Sequence, residues 1–154
     1  MRSLHGPKRV CGIALLAALS AAVFLPGLAK EGYVLTFTNG LAVYLTGDTG
    51  LMSDMSMLRR FYHPHLTVVN VDGVNVMGAE EGAFAMTTLV RPRPVIASHA
   101  EQAVTTNGRV SPNTRTARFA ALLGDMPVYV PLSGTTMQFD GNANCVTGCT
   151  SASR

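Results

Sequence analysis

Asn39-Gly-Leu-Ala-Val-Tyr-Leu-Thr-Gly-Asp-Thr-Gly50 is the stretch on which the reading of the fold turns. Asn-Gly between two runs rich in β-branched and aromatic residues is the strongest short-range hairpin signal. The upstream run, Tyr33-Val-Leu-Thr-Phe-Thr38, alternates apolar and polar residues. The downstream run, Leu41-Ala-Val-Tyr-Leu-Thr46, is its partner strand and ends in Gly47-Asp48-Thr49-Gly50. A hairpin whose second strand runs into a glycine-flanked Asp is a scaffold with a polar group at its open end.

Working outward, strand and helix alternate. Leu51 to Phe61 reads as a helix with Met52, Met55, Leu58 and Phe61 on one face. Leu66-Thr-Val-Val-Asn-Val71 is a strand without clean alternation, as expected where both faces are covered. Asp72 to Gly78 is a loop, and Ala79 to Val90 a helix with Glu80 and Glu81 in its first turn, favourable to the helix dipole. Pro94-Val-Ile-Ala97 is a short strand ending in Ser98-His99. A polar loop, Thr105 to Asn113, precedes a helix at Thr114 to Leu123, and Val128-Tyr-Val130 and Thr136-Met-Gln-Phe139 are short closing strands. This order is the signature of right-handed βαβ units, so the expected class is α/β, a mixed sheet with flanking helices.

Three strands end in side chains that can hold a metal: 41–46 in Asp48, 66–71 in Asp72 and 94–97 in His99. In open α/β sheets the site lies outside the carboxyl ends of the strands. Carboxylate oxygen and imidazole nitrogen sharing that rim suit a hard or borderline divalent metal. The same residues also have a plain structural reading, Asp48 as a turn former or helix cap and His99 as a loop histidine. No Gly-x-Gly-x-x-Gly, P-loop or Gly-x-Ser-x-Gly occurs, so nucleotide binding and serine-hydrolase chemistry have no anchor.

Residues 39–50, Met77-Gly-Ala-Glu-Glu-Gly-Ala83 and Val95-Ile-Ala-Ser-His-Ala100, in this order, resemble the carboxy-terminal half of a metallo-β-lactamase-fold hydrolase. Among its branches the chain is most similar to the ascorbate-phosphate lactonase-like one, over about Gly32 to Cys149. The resemblance implies half of an αββα sandwich, whose intact form holds two divalent metals, zinc or manganese, between similar halves. It implies that Asp48 bridges the metals and that His99 is the last ligand of the second. It also implies a small-molecule substrate attacked by a metal-held hydroxide, so Asp48 and His99 are the candidate catalytic and metal-binding residues. The His-x-His-x-Asp-His segment of the family's other half is absent. His63-Pro-His65 copies only its beginning and falls on a helix-to-strand connection, so both are expected to be solvated loop residues. Metal affinity and activity of this chain alone are therefore expected to be weak or absent. The alternative is a non-catalytic exported remnant or binding protein that keeps the sheet.

Arg2, Lys8 and Arg9, the uncharged run Cys11 to Leu25, and Gly27-Leu28-Ala29 match a secretory signal peptide. Residues 1–29 are accordingly expected to be the signal and 30–154 the exported chain, secreted or periplasmic, with no membrane attachment after cleavage. The net charge of +3 belongs to this segment; from Lys30 onward acidic and basic residues number nine each, which argues against a nucleic-acid partner. With 47% hydrophobic and 14% charged residues the chain is no disordered polymer. Cys145-Val-Thr-Gly-Cys149 favours a small disulfide loop in an exporting compartment. A half sandwich exposes an apolar sheet face, so a homo-oligomer is expected.

Overall fold

The computed structural model describes residues 21–24, 32–99 and 104–152. The expected signal lies outside the described residues except for Ala21–Phe24, which forms β1. The hairpin follows as β2 (Tyr33–Thr36) and β3 (Ala42–Leu45), paired antiparallel with Thr36 opposite Ala42. At its tip Gly40 N–H donates to Phe37 O and Phe37 N–H donates to Leu41 O, with Gly40 at φ 87°. That is a three-residue loop closing on a left-handed glycine.

Helix α1 (Met55–Tyr62) leads to β4 (Leu66–Asn70). Helix α2 (Ala79–Phe84) continues as a π-helical segment, Ala85–Val90, before β5 (Val95–Ser98). The expected polar loop contains a miniature hairpin, β6 (Thr105–Thr106) and β7 (Arg109–Val110). Helix α3 (Arg115–Leu123) follows, capped by Thr114, whose hydroxyl accepts from Ala117 N–H at 3.1 Å. Then come β8 (Val128–Val130), β9 (Gln138–Phe139), β10 (Cys145–Thr147) and β11 (Thr150–Ser151).

The main sheet has the order β1-β2-β3-β4-β5-β8-β11. Strands β3, β4, β5 and β8 run parallel, and the flanking strands are antiparallel, so the sheet is mixed as expected. Each parallel step moves one strand in the same direction, which for right-handed crossovers puts every helix on one face. Met55 and Leu58 of α1, Ala79 and Ala83 of α2, and Phe119 and Leu123 of α3 share one buried cluster with Tyr44, Val69, Val95 and Val128.

Three expectations need correcting. In α1 only Met55 and Leu58 are buried, with Tyr62 packed beside them, whereas Met52 and Phe61 are exposed. A spacing of three slips about 60° per step around a helix, and Met52 precedes the helix altogether. The opposite sheet face is not bare. Ala143, Met137 and Phe139 from the β9–β10 region pack with Leu41, Val43, Leu66 and Ile96, while Leu45, Val68 and Tyr129, with Leu35 opposite Val43, remain half-buried there. The closing strand is shorter than Thr136–Phe139, and its partner β10 carries the expected Cys145–Cys149 disulfide, with Cα atoms 6.3 Å apart. Among the described residues no helix is long and apolar enough to cross a membrane.

Candidate metal-type site at the carboxyl rim of the sheet

Register alone brings the candidate residues to one edge. Leu45 is opposite Val68, and Asn70 is opposite Ser98, so the chain leaves β3, β4 and β5 on the same side. Two further bonds hold the exits together: Val71 N–H donates to Ser98 O at 3.4 Å, and Met77 N–H to Thr49 O at 3.2 Å. Thr46, fully buried, takes Asn70 N–H on its hydroxyl at 3.1 Å while donating to Gly47 O. The loop carrying Asp48 is thus tied to the end of β4.

Asp48 is exposed, and its Oδ1 accepts from Asn70 Nδ2 at 2.9 Å. His99 is half exposed, with its side chain 52% accessible, and its backbone turns out of β5 at φ 52°. Asp72 behaves differently from the other two. Its carboxyl group is buried, its Oδ2 lies 2.7 Å from His99 Nδ1, and its Oδ1 accepts from Val74 N–H at 2.7 Å. A buried carboxylate needs such donors to offset its lost hydration. Its place at a strand end groups Asp72 with the metal donors, but the structure engages both its oxygens within the protein. Asn70 carries no sequence signal beyond its position in the strand, one residue from the rim.

His63 and His65 sit at the other end of the sheet. His65 Nδ1 accepts from Ala42 N–H at 3.1 Å, and its backbone bonds to Ala42 O and Arg93 N–H, at the starts of β3 and β5. His63 caps α1 in a left-handed conformation. His65 is therefore half-buried and bonded rather than a solvated loop residue, and neither histidine meets Asp48 or His99 at the rim.

No protein-family profile matches the chain. Two curated proteins are similar at 34% identity: a UPF0173 metal-dependent hydrolase of Polynucleobacter asymbioticus over 110 residues, and one of Cupriavidus taiwanensis over 111. Over this span the chain is similar to part of these UPF0173 metal-dependent hydrolases. Each match takes in 70% of this chain but only 36% and 37% of the relative, so the chain spans about a third of their length. Among solved structures, an isothiocyanate hydrolase from Delia radicum gut bacteria is similar over 71% of this chain and 44% of its own, at TM-score 0.52 and 22% identity. A structure from Parabacteroides distasonis described as a metal-dependent hydrolase is similar over 65% and 39%, at TM-score 0.51 and 24% identity. A zinc-dependent hydrolase of the metallo-β-lactamase superfamily from Thermotoga maritima also resembles it, at TM-score 0.43 and 18% identity, over 55% and 43%. The α/β architecture, a mixed sheet with flanking helices, is the one it shares with the isothiocyanate hydrolase and the Parabacteroides distasonis structure.

The UPF0173 relatives are named for a metal, and the residues present can be tested against one. Among the described residues no three His, Cys, Asp or Glu side chains come together in a way that could hold a metal ion. A protein zinc site uses three or four donors. Asp48 and His99 are two, and Asp72 is engaged elsewhere. The set by itself does not fit a tightly held metal.

Proposed function

We propose that this chain supplies the carboxy-terminal half of a divalent-metal-dependent hydrolase acting on a small-molecule substrate, with Asp48 and His99 as its contribution to the metal centre. The observation that carries the reading is the common rim: β3 and β5 end side by side with β4, and each delivers one metal-type side chain there, in a chain similar to part of proteins named for that chemistry. Zinc or manganese fits oxygen and imidazole donors. The remaining donors come from outside these two residues, so the chain alone holds metal weakly and turns over little. Export to the periplasm or medium belongs to the same reading, supported by the basic-apolar-small pattern of residues 1–29 and by the Cys145–Cys149 bridge, which suits an oxidising compartment.

The test is dialysis of the purified chain against zinc or manganese, elemental analysis, and assays on lactone and phosphodiester substrates. The expected result is well below one metal per chain and negligible turnover. Co-expression with the amino-terminal portion of the Cupriavidus taiwanensis relative should raise both, and Asp48→Ala or His99→Ala should abolish the gain. Failure of every complementing segment to bring in metal would overturn the proposal in favour of a non-catalytic remnant.

A further inference from the structure

The end of β4 sends one side chain to each candidate donor: Asn70 to Asp48 and Asp72 to His99. The second contact has a chemical consequence. Asp72 Oδ1 accepts from the Val74 amide, and Oδ2 lies 2.7 Å from His99 Nδ1. An ionised carboxylate can only accept hydrogen bonds, so with Asp72 ionised the proton between the two side chains belongs to His99 Nδ1. Neutral imidazole carries one ring proton, which leaves Nε2 as a bare lone pair on a side chain that is 52% accessible.

We propose that Asp72 is the positioning residue of this site: it holds His99 in the Nδ1-protonated tautomer so that Nε2 is permanently presented as a donor at the rim. Asp72 touches no substrate in this role; it acts through His99. A carboxylate behind a histidine fixes its ring and its tautomer in just this manner in metal centres. The purpose of the arrangement rests on the hydrolase reading, but its existence does not. The tautomer is a property of the free chain.

The experiment is long-range 15N–1H correlation NMR on the uniformly labelled full chain at mildly alkaline pH, with His99→Gln assigning the His99 signals. His65 is an internal standard of opposite kind: its Nδ1 accepts from Ala42 N–H, so its proton must sit on Nε2. The expected spectrum shows His99 protonated at Nδ1 and bare at Nε2, the reverse of His65. Asp72→Asn is the informative variant. Its side-chain carbonyl oxygen can still accept from Val74 N–H, while its amide now donates to His99 Nδ1, so the ring proton should move to Nε2. A wild-type His99 with the His65 pattern, or an Asp72→Asn protein retaining the proton on Nδ1, overturns the proposal. The Val74 amide signal reports whether the turn survives, and if the variant fails to fold the wild-type spectrum still decides. The expected tautomers without metal or turnover in any complemented preparation would leave Asp72 as a positioning residue and remove the hydrolase reading alone.

Discussion

Tyr44 shows what a single buried polar group does to this protein. It is almost fully buried on β3, facing the helices. Burial pushes its phenol up from 10.0 to about 12, and the nearby charge of Asp54 adds to the shift. A raised folded-state pKa means that the folded protein keeps the proton after the unfolded chain has lost it. The associated stability is fully present below pH 10 and is lost as the pH rises from there toward about 12. The loss approaches 1.4 kcal/mol per pH unit at most, with one unit equal to about 1.4 kcal/mol. Thermal melts across this range should fall more steeply for the wild type than for Tyr44→Phe. Equal slopes would show that the hydroxyl is hydrated in the folded state. Asp140 has its carboxyl lowered, chiefly by the Asn144 side-chain amide and then by backbone N–H groups, which organises the turn between β9 and β10.

At the scale of elements, α2 and α3 pack tightly against each other and against Val71, just past the end of β4. Gly82 faces Val71 and Phe119 so closely that an added Cβ would lie 3.2 Å and 3.3 Å from their side chains. Phe119 itself is wholly buried. Alanine is preferred over glycine in a helix by about 1 kcal/mol, but here the tight approach cancels that gain. Gly82→Ala is expected to be neutral or destabilising in the wild type and stabilising in a Phe119→Leu background. A double-mutant cycle by denaturant unfolding measures the coupling, and additive values would show that the helices do not pack as described. Phe119→Ala should cost about 3–5 kcal/mol, as for other buried phenylalanines.

For the whole molecule, assembly turns on the sheet face away from the helices. The disulfide-closed β9–β10 region covers part of it, yet Leu45, Val68 and Tyr129 remain half-buried. Apolar surface of this kind favours association, so the chain is expected to sediment as an oligomer or to be poorly soluble. A monodisperse monomer with a cooperative calorimetric transition would show that the hairpin is cover enough. Under the export proposal, processing would change the other edge. Mass spectrometry of exported protein should show a mature amino terminus near Lys30, and an intact Met1 on a cytoplasmic product would end that reading. Cleavage there would remove β1, which pairs with β2 along Tyr33–Thr36, and make β2 the sheet edge.

Most of this fold was legible in the order of residues, because it rests on local signals. Asn39-Gly40 between two strand-forming runs, the helix over Thr114 to Leu123 and the alternation of strand with helix each follow from backbone preference and side-chain period. They predicted β2, β3, β4, β5, α2 and α3 within a few residues, and they put Asp48 and His99 at strand ends. What they could not reveal depends on contacts between distant segments. A spacing of three looked like one face of α1 until packing selected Met55, Leu58 and Tyr62 and left Phe61 in solvent. Strands β10 and β11 are short and each exists only through a partner, while β1 falls in the apolar run read as the signal. Asp72 looked like a third donor because a strand end is all that sequence shows. Only the register of β4 against β5 brings it 2.7 Å from His99, where burial commits its charge to orienting that ring.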